Sequence, residues 1–231
     1  MNPAGSALSS EFFNDDAQRV ARRLLGKVLC HRLDGQWLAA QVVEAEAYYR
    51  REKASHASLG YTEKRKALFM APGTIYMYYA RGGDSFNVSC RGAGNAVLFK
   101  AAIPYLGASG TDAMLDRMRR LNTLPSGRPR ALKRLCAGQT LLCRALGLRV
   151  PEWDGRGFCT ERLLLLDLGY RPRRVIRTAR LGIPPGRDGH LPYRYIDYDH
   201  AASSTKNPLN RGKPLPPAVE ILTQRPRRAP R

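Results

Sequence analysis

The 231-residue chain has no apolar stretch approaching the ~20 residues that a membrane-spanning helix requires, which excludes that class. Its first residues, Met1-Asn2-Pro3-Ala4-Gly5, offer neither the charged start nor the apolar stretch of a secretory signal. The expected location is therefore the cytoplasm, on the nucleoid if the source is bacterial. Cysteine is scarce: Cys30, Cys90, Cys136, Cys143 and Cys159 form no Cys-x-x-Cys pair, and an odd count argues against a disulfide or zinc framework. No repeat and no Ser/Gly-rich linker divides the sequence, and its length suits one sizeable core. Residues 1–10 read as a flexible N-terminus, 11–205 as one folded domain and 206–231 as a basic, Pro/Arg-rich tail.

Acidic residues are also few. Nineteen Asp and Glu stand against 39 Lys and Arg, a net charge of +20. Such an excess points to a polyanionic partner, and its distribution supports this. Nine Lys/Arg and no acid occur from Arg117 to Arg149, and six Arg and no acid from Arg171 to Arg187. Charge alone indicates nucleic acid without saying which kind.

What is present is patterned. Asp15 or Asp16 can cap a helix whose apolar residues Ala17, Val20, Ala21, Leu24 and Leu25 recur at helical spacing, with Gly26 placed to end it. Residues 27–33 and 37–48 read as a hairpin around Asp34-Gly35-Gln36. Further strands are expected at 73–79, 87–90 and 96–101, and late ones at 163–166 and 193–198. Helices are expected at 111–121 and 140–146, the second ended by Gly147. Antiparallel strands grouped early, without βαβ alternation, indicate an α+β fold.

Within 42–48, a period of two places Glu44, Glu46 and Tyr48 on one strand face and Val43, Ala45 and Ala47 on the other. Carboxylates are depleted in strands and seldom buried without partners. This face is therefore either a wet outer surface or a pocket wall whose partial dryness favours a general base. Gly73-Thr74-Ile75-Tyr76-Met77-Tyr78-Tyr79 puts Tyr76 and Tyr78 on one face, which either fill a core or stack a flat base at ~1–3 kcal/mol each. Asn87 is the lone polar residue opening an apolar strand, and His56 lies in a loop.

The order of these motifs resembles the alkyladenine (3-methyladenine) DNA glycosylases, the purine-DNA glycosylase family. The likeness runs from Ala21-Arg22-Arg23-Leu24-Leu25-Gly26-Lys27 to Arg180-Leu181-Gly182-Ile183. It is strongest in Val43-Glu44-Ala45-Glu46-Ala47-Tyr48, in residues 69–78, and from Asn87 through Val97-Leu98-Phe99-Lys100-Ala101. It implies a DNA glycosylase domain over 11–205, built as a curved, mainly antiparallel sheet surrounded by helices. It further implies an enzyme that flips alkylated or deaminated purines (3-methyladenine, hypoxanthine, ethenoadenine) out of double-stranded DNA and hydrolyses the N-glycosidic bond, beginning base excision repair. Glu46 matches the carboxylate that activates water, and Glu44 a structural one. Tyr48, His56, Tyr78, Asn87, Leu98 and Lys100 match the base pocket, Asn87 disfavouring guanine and Lys100 replacing an arginine with loss of its planar fork. No metal or cofactor is implied. With no lysine in the motif itself, the expectation is a monofunctional enzyme, and a protein that must embrace one lesion is expected to be a monomer.

Two segments depart from the family pattern. The Tyr-x-x-Tyr-Gly that supplies a wedge tyrosine is replaced by Tyr78-Tyr79-Ala80-Arg81-Gly82, leaving Arg81, Tyr79 or Met77 as wedge candidates. Gly-Pro-x-Lys is replaced by Gly138-Gln139-Thr140-Leu141, so Arg130, Lys133, Arg134 and Arg144 are the candidates for the DNA backbone. The altered wedge keeps a second reading in view, a non-enzymatic damaged-DNA-binding protein on the same fold.

Overall fold

Aspartate before an apolar run starts the first helix. The computed structural model describes residues 5–80, 82–107, 110–209, 216 and 218–223. In it the Asp16 carboxylate accepts from the backbone N–H groups of Gln18 and Arg19 and caps α1, Ala17–Leu24. A cap of this kind contributes ~1 kcal/mol. Ala17, Val20, Ala21 and Leu24 form its buried stripe, and the chain turns at Gly26 with φ 83°.

Ahead of this helix lies β1, Ser6–Ala7. The hairpin that follows comprises β2, Val28–Leu33, and β3, Gln36–Tyr48. Leu33 pairs with Gln36, and Asp34 and Gly35 carry φ of 48° and 80°, the left-handed pair that matches strand twist in a two-residue turn. A meander of β4, Ile75–Ala80, β5, Gly83–Ser89, and β6, Ala96–Pro104, comes next. Helices α2, Thr111–Leu121, α3, Gln139–Leu146, and the short α4, Val150–Trp153, precede β7, Leu163–Asp167. The chain then adds β8, Arg174–Thr178, β9, Arg194–Asp197, and β10, Glu220–Thr223. The sheet thus takes short strands from within both segments read as chain ends, Ser6–Ala7 beside β7 and Glu220–Thr223 beside β8.

Every pairing among the described strands is antiparallel, in the order β1-β7-β2-β3-β6-β5-β4, with β9, β8 and β10 branching from β3. The fold is α+β, a single domain on an open, curved sheet. β3 is the pivot. One of its edges holds β6, while the other holds β2 as far as Gln41 and β9 from Glu44 to Glu46. Where β2 gives way to β9, the β3–β6 register slips around Val42 and Glu44. This bulge changes the phase of the strand: Val42, Ala45 and Ala47 belong to the main core, where simple alternation had grouped Val43 with the two alanines.

The main core lies between one face of the sheet and α1, α2 and α3, with Leu24, Leu38, Phe86, Phe99, Met118 and Leu142 among its fully buried members. Each such side chain contributes ~1.5–3 kcal/mol on removal from water. On the other face the segment 49–73 folds back, and a smaller cluster of Ala57, Ala67, Leu68, Tyr76 and Ala96 forms beneath it. That second face carries the site. Cys30, Cys90, Cys136 and Cys143 are buried and unpaired, and burial pushes the Cys30 thiol up to about 12, so these thiols are packing groups. No helix among the described residues is long and apolar enough to cross a membrane.

Candidate active site

Sheet register assembles the site from four separate stretches of sequence. Tyr76 pairs with Asn87, Asn87 with Leu98, and Leu98 with Glu46, so β4, β5, β6 and β3 each contribute one side chain to a single cross-sheet row. Directly paired residues share a face. Tyr78 and Lys100 stand one step along from Tyr76 and Leu98.

Both carboxylates of β3 are fully buried, which disposes of the wet-surface reading. Glu44 is saturated: Arg194 Nε donates to Oε1 at 2.6 Å and the Thr205 backbone N–H to Oε2 at 2.7 Å. Glu46 is held differently. The Tyr48 hydroxyl donates to its Oε2 at 2.7 Å, Lys100 Nζ lies 3.3 Å from Oε1 and 3.5 Å from Oε2, and Oε1 accepts no hydrogen bond among the described residues. Burial, followed by the adjacent Glu46 charge, holds the Tyr48 phenol well above its usual range, so it remains a donor to that carboxylate.

Above this pair opens a cavity of about 260 Å³ whose wall includes Tyr48, His56, Tyr76, Tyr78, Asn87 and Lys100. Small-molecule sites start at about 300 Å³, so the space suits something near the size of one base. His56 Nδ1 lies 3.0 Å from the Tyr76 hydroxyl, and the His56 and Tyr78 rings meet at 4.5 Å. One side of His56 faces solvent, yet burial of the rest and the charges of Arg65 and Arg187 lower its proton affinity, so the ring is neutral at pH 7. Asn87 is 5 % exposed and its Nδ2 donates to the Tyr76 carbonyl. Leu98 lies in the row between Asn87 and Glu46, 1 % exposed, beneath the site and outside the cavity wall. Glu46 is also outside that wall, with Tyr48 and Lys100 in it.

Sequence reasoning assigned no role to three side chains that the fold brings here. Gln139, at the start of α3, accepts from Lys100 Nζ at 3.2 Å and donates to Ser85 Oγ at 2.8 Å, so it is a second partner of the ammonium beside Glu46. Gly138, with φ 150°, turns the chain into that helix. Arg180 is 4 % exposed; it pairs through both terminal nitrogens with Glu52, donates to the Ala47 carbonyl at 2.8 Å and lies 4.5 Å over the Tyr48 ring. Arg187 lines the cavity together with the segment 181–184. The one signal for this region was the final matched stretch, Arg180-Leu181-Gly182-Ile183.

The three wedge candidates separate. Met77 faces the main core and is 2 % exposed, so it could reach a duplex only by leaving that core. Tyr79 is 70 % exposed near the end of the β4–β5 hairpin, and Arg81 lies outside the described residues. Gly83, which closes the hairpin, approaches Thr140 of α3 so closely that a Cβ there would meet the threonine Cβ at 2.8 Å. Arg144 is exposed and donates to the Gly82 carbonyl at 2.8 Å, beside the hairpin turn. Arg130 donates to the Thr123 carbonyl and Arg134 to the Ser204 carbonyl, while Lys133 is exposed. The second basic run is largely neutralised within the protein, since Arg171, Arg174, Arg177 and Arg180 pair with Asp167, Asp199, Glu220 and Glu52.

Comparison with known proteins defines what this arrangement belongs to. The family model described as Methylpurine-DNA glycosylase matches residues 11–201. A protein of Pseudomonas aeruginosa named "Putative 3-methyladenine DNA glycosylase" is 59% identical over 211 residues, covering 91% of this chain and 88% of its own. A protein of the same name from Pseudomonas savastanoi pv. phaseolicola is 58% identical over 208 residues, 90% and 93% of the two chains. The DNA-3-methyladenine glycosylase of Mus musculus is 36% identical over 184 residues, 76% of this chain and 54% of its own. These matches define a DNA-repair hydrolase acting on N-glycosyl bonds. The chain belongs to the methylpurine-DNA glycosylase family.

Proposed function

We propose that this protein binds double-stranded DNA as a monomer, extrudes a damaged purine into the tyrosine-walled cavity and hydrolyses its N-glycosidic bond with water activated by Glu46. The observation that carries this reading is a buried carboxylate, held by Tyr48 and Lys100 behind a base-sized cavity, with one oxygen that accepts no hydrogen bond among the described residues. Breaking a glycosidic bond builds positive charge on the sugar, which a nearby carboxylate stabilises while it takes a proton from the attacking water. Tyr48 stacks on one face of the extruded base, with His56 and Tyr78 enclosing the other side. Asn87 stands where the exocyclic amino group of guanine would fall. Extrusion costs a few kcal/mol, least for a base already mispaired or damaged, so selection begins before the pocket is reached.

The substrates are alkylated or deaminated purines of the 3-methyladenine, hypoxanthine and ethenoadenine class, and their removal begins base excision repair in the cytoplasm. Tyr79 or Arg81 fills the gap in the duplex, and Arg130, Lys133, Arg134 and Arg144 hold the phosphates. Incubating the protein with duplexes carrying each lesion and revealing abasic sites with alkali tests the reading. Release of at least one damaged base, with undamaged duplex left intact, is expected. Tight binding to every lesion without release of any would instead establish a damage-binding protein that does no chemistry.

A further inference from the structure

We propose that Lys100 gives this protein a second activity, cleavage of the DNA strand at the abasic site through an imine; the proposal rests on the base-releasing reading of the same cavity. The expectation of a monofunctional enzyme followed from the absence of lysine in the segment around Glu46. Folding supplies one from β6. Lys100 carries the only primary amine among the described residues of the cavity wall, with Nζ 3.3 Å from Glu46 Oε1. A sugar held over Glu46 for attack at C1′ is therefore also held over this amine.

Three features suit the amine to that role. It is 7 % exposed, so bulk water does not compete for its surroundings. Gln139 holds it through a second hydrogen bond at 3.2 Å. Glu46 Oε1, the nearest carboxylate oxygen at 3.3 Å, accepts no hydrogen bond among the described residues and is free to take the ammonium proton. A desolvated lysine beside a proton acceptor is the usual requirement for attack on a carbonyl.

The steps balance without an oxidant or reductant. The ammonium gives a proton to Glu46, and the neutral amine adds to the C1′ aldehyde of the ring-opened abasic sugar to give a carbinolamine. Glu46 returns that proton as the carbinolamine hydroxyl leaves as water, which forms the protonated imine. The restored carboxylate then removes a proton from C2′. That electron pair forms the C2′=C3′ bond, the C3′–O bond breaks, and the 3′ phosphate departs with the bonding electrons. Water hydrolyses the imine and frees the lysine.

The test uses the full-length protein, a duplex with a pre-formed abasic site and sodium borohydride, which reduces an imine to a stable amine link. A covalent protein–DNA adduct is expected, with peptide mass mapping placing the link on Lys100. Lys100→Arg, which keeps the charge but cannot form this imine, should lower the adduct at least about tenfold. Mapping on the wild-type protein decides the matter even if that variant fails to fold. No adduct above a serum-albumin control, a link mapped to another amine, or full trapping by folded Lys100→Arg would each overturn the proposal. The same preparation is assayed for hypoxanthine release without borohydride, which separates the two readings. Release without trapping sinks only the lyase, whereas trapping without release sinks only the glycosylase.

Discussion

Glu44 and Glu46 lie two residues apart on β3, both fully buried, yet their surroundings differ in kind. Each oxygen of Glu44 is occupied, one by the Arg194 guanidinium and one by the Thr205 backbone N–H, and Arg194 is tied in turn to the Lys206 carbonyl at 2.8 Å. Glu46 has a phenol and an ammonium on the cavity side and one oxygen without a hydrogen bond among the described residues. A buried charge that is fully paired joins β3 to the segment after β9 and has nothing left to offer a substrate. One that is partly paired, next to a base-sized space, retains capacity for a proton. On the proposed reading, identical side chains on one strand are divided between architecture and chemistry by their partners.

Removing each carboxylate in turn sharpens that contrast. The largest expected effect is on rate: Glu46→Gln should slow base release by ~10²–10⁴-fold, measured in single turnovers on protein shown to be folded. Next, Glu44→Gln leaves Arg194 buried without its counter-ion and should cost ~3–5 kcal/mol, read from denaturant unfolding. Base release per folded molecule should stay within a few-fold of wild type. If Glu44→Gln were stable but inactive, the division of labour would be reversed.

A third carboxylate extends the comparison to one that is paired but far from the cavity. The Arg171 guanidinium holds Asp167 well below its ordinary 3.8, with the Gly169 N–H and Lys27 assisting. A depressed folded-state value means stability that is present above about pH 4 and lost as pH falls below it. Because Asp167 is partly exposed, the effect is modest. Asp167→Asn should flatten the acid limb of the stability curve and leave base release at neutral pH unchanged; an unaltered limb would refute that assignment. The smallest effect belongs to Lys133, exposed before α3. Lys133→Ala should lower the salt slope of DNA binding by about one unit without touching the chemical step.

How much of this was legible in the sequence follows from how local each feature is. The cap of α1, the Asp34-Gly35 turn and the end of α3 at Gly147 depend on neighbouring residues, and all three occur where pattern placed them. β8 was missed because its arginines read as DNA-facing charge, whereas Arg174 and Arg177 are paired with Asp199 and Glu220. The bulge at Val42 and Glu44 was invisible because it arises where β3 exchanges β2 for β9, a pairing separated by some 150 residues of sequence. At the candidate site, alternation grouped Glu44, Glu46 and Tyr48, and the family resemblance chose between the two carboxylates. Gln139 carried no local signature, and Arg180 only its place in the last stretch of the family resemblance. Their positions depend on α3 packing against β5 and on Glu52 meeting a residue 128 positions away.

The most direct test compares the two carboxylates on one substrate. Single-turnover release of hypoxanthine from a duplex, with wild type, Glu46→Gln and Glu44→Gln each saturating and shown to be folded, should give a loss of at least about 100-fold for Glu46→Gln alone. A Glu46→Gln protein that releases hypoxanthine at the wild-type rate would contradict the assignment of Glu46 as the water-activating group.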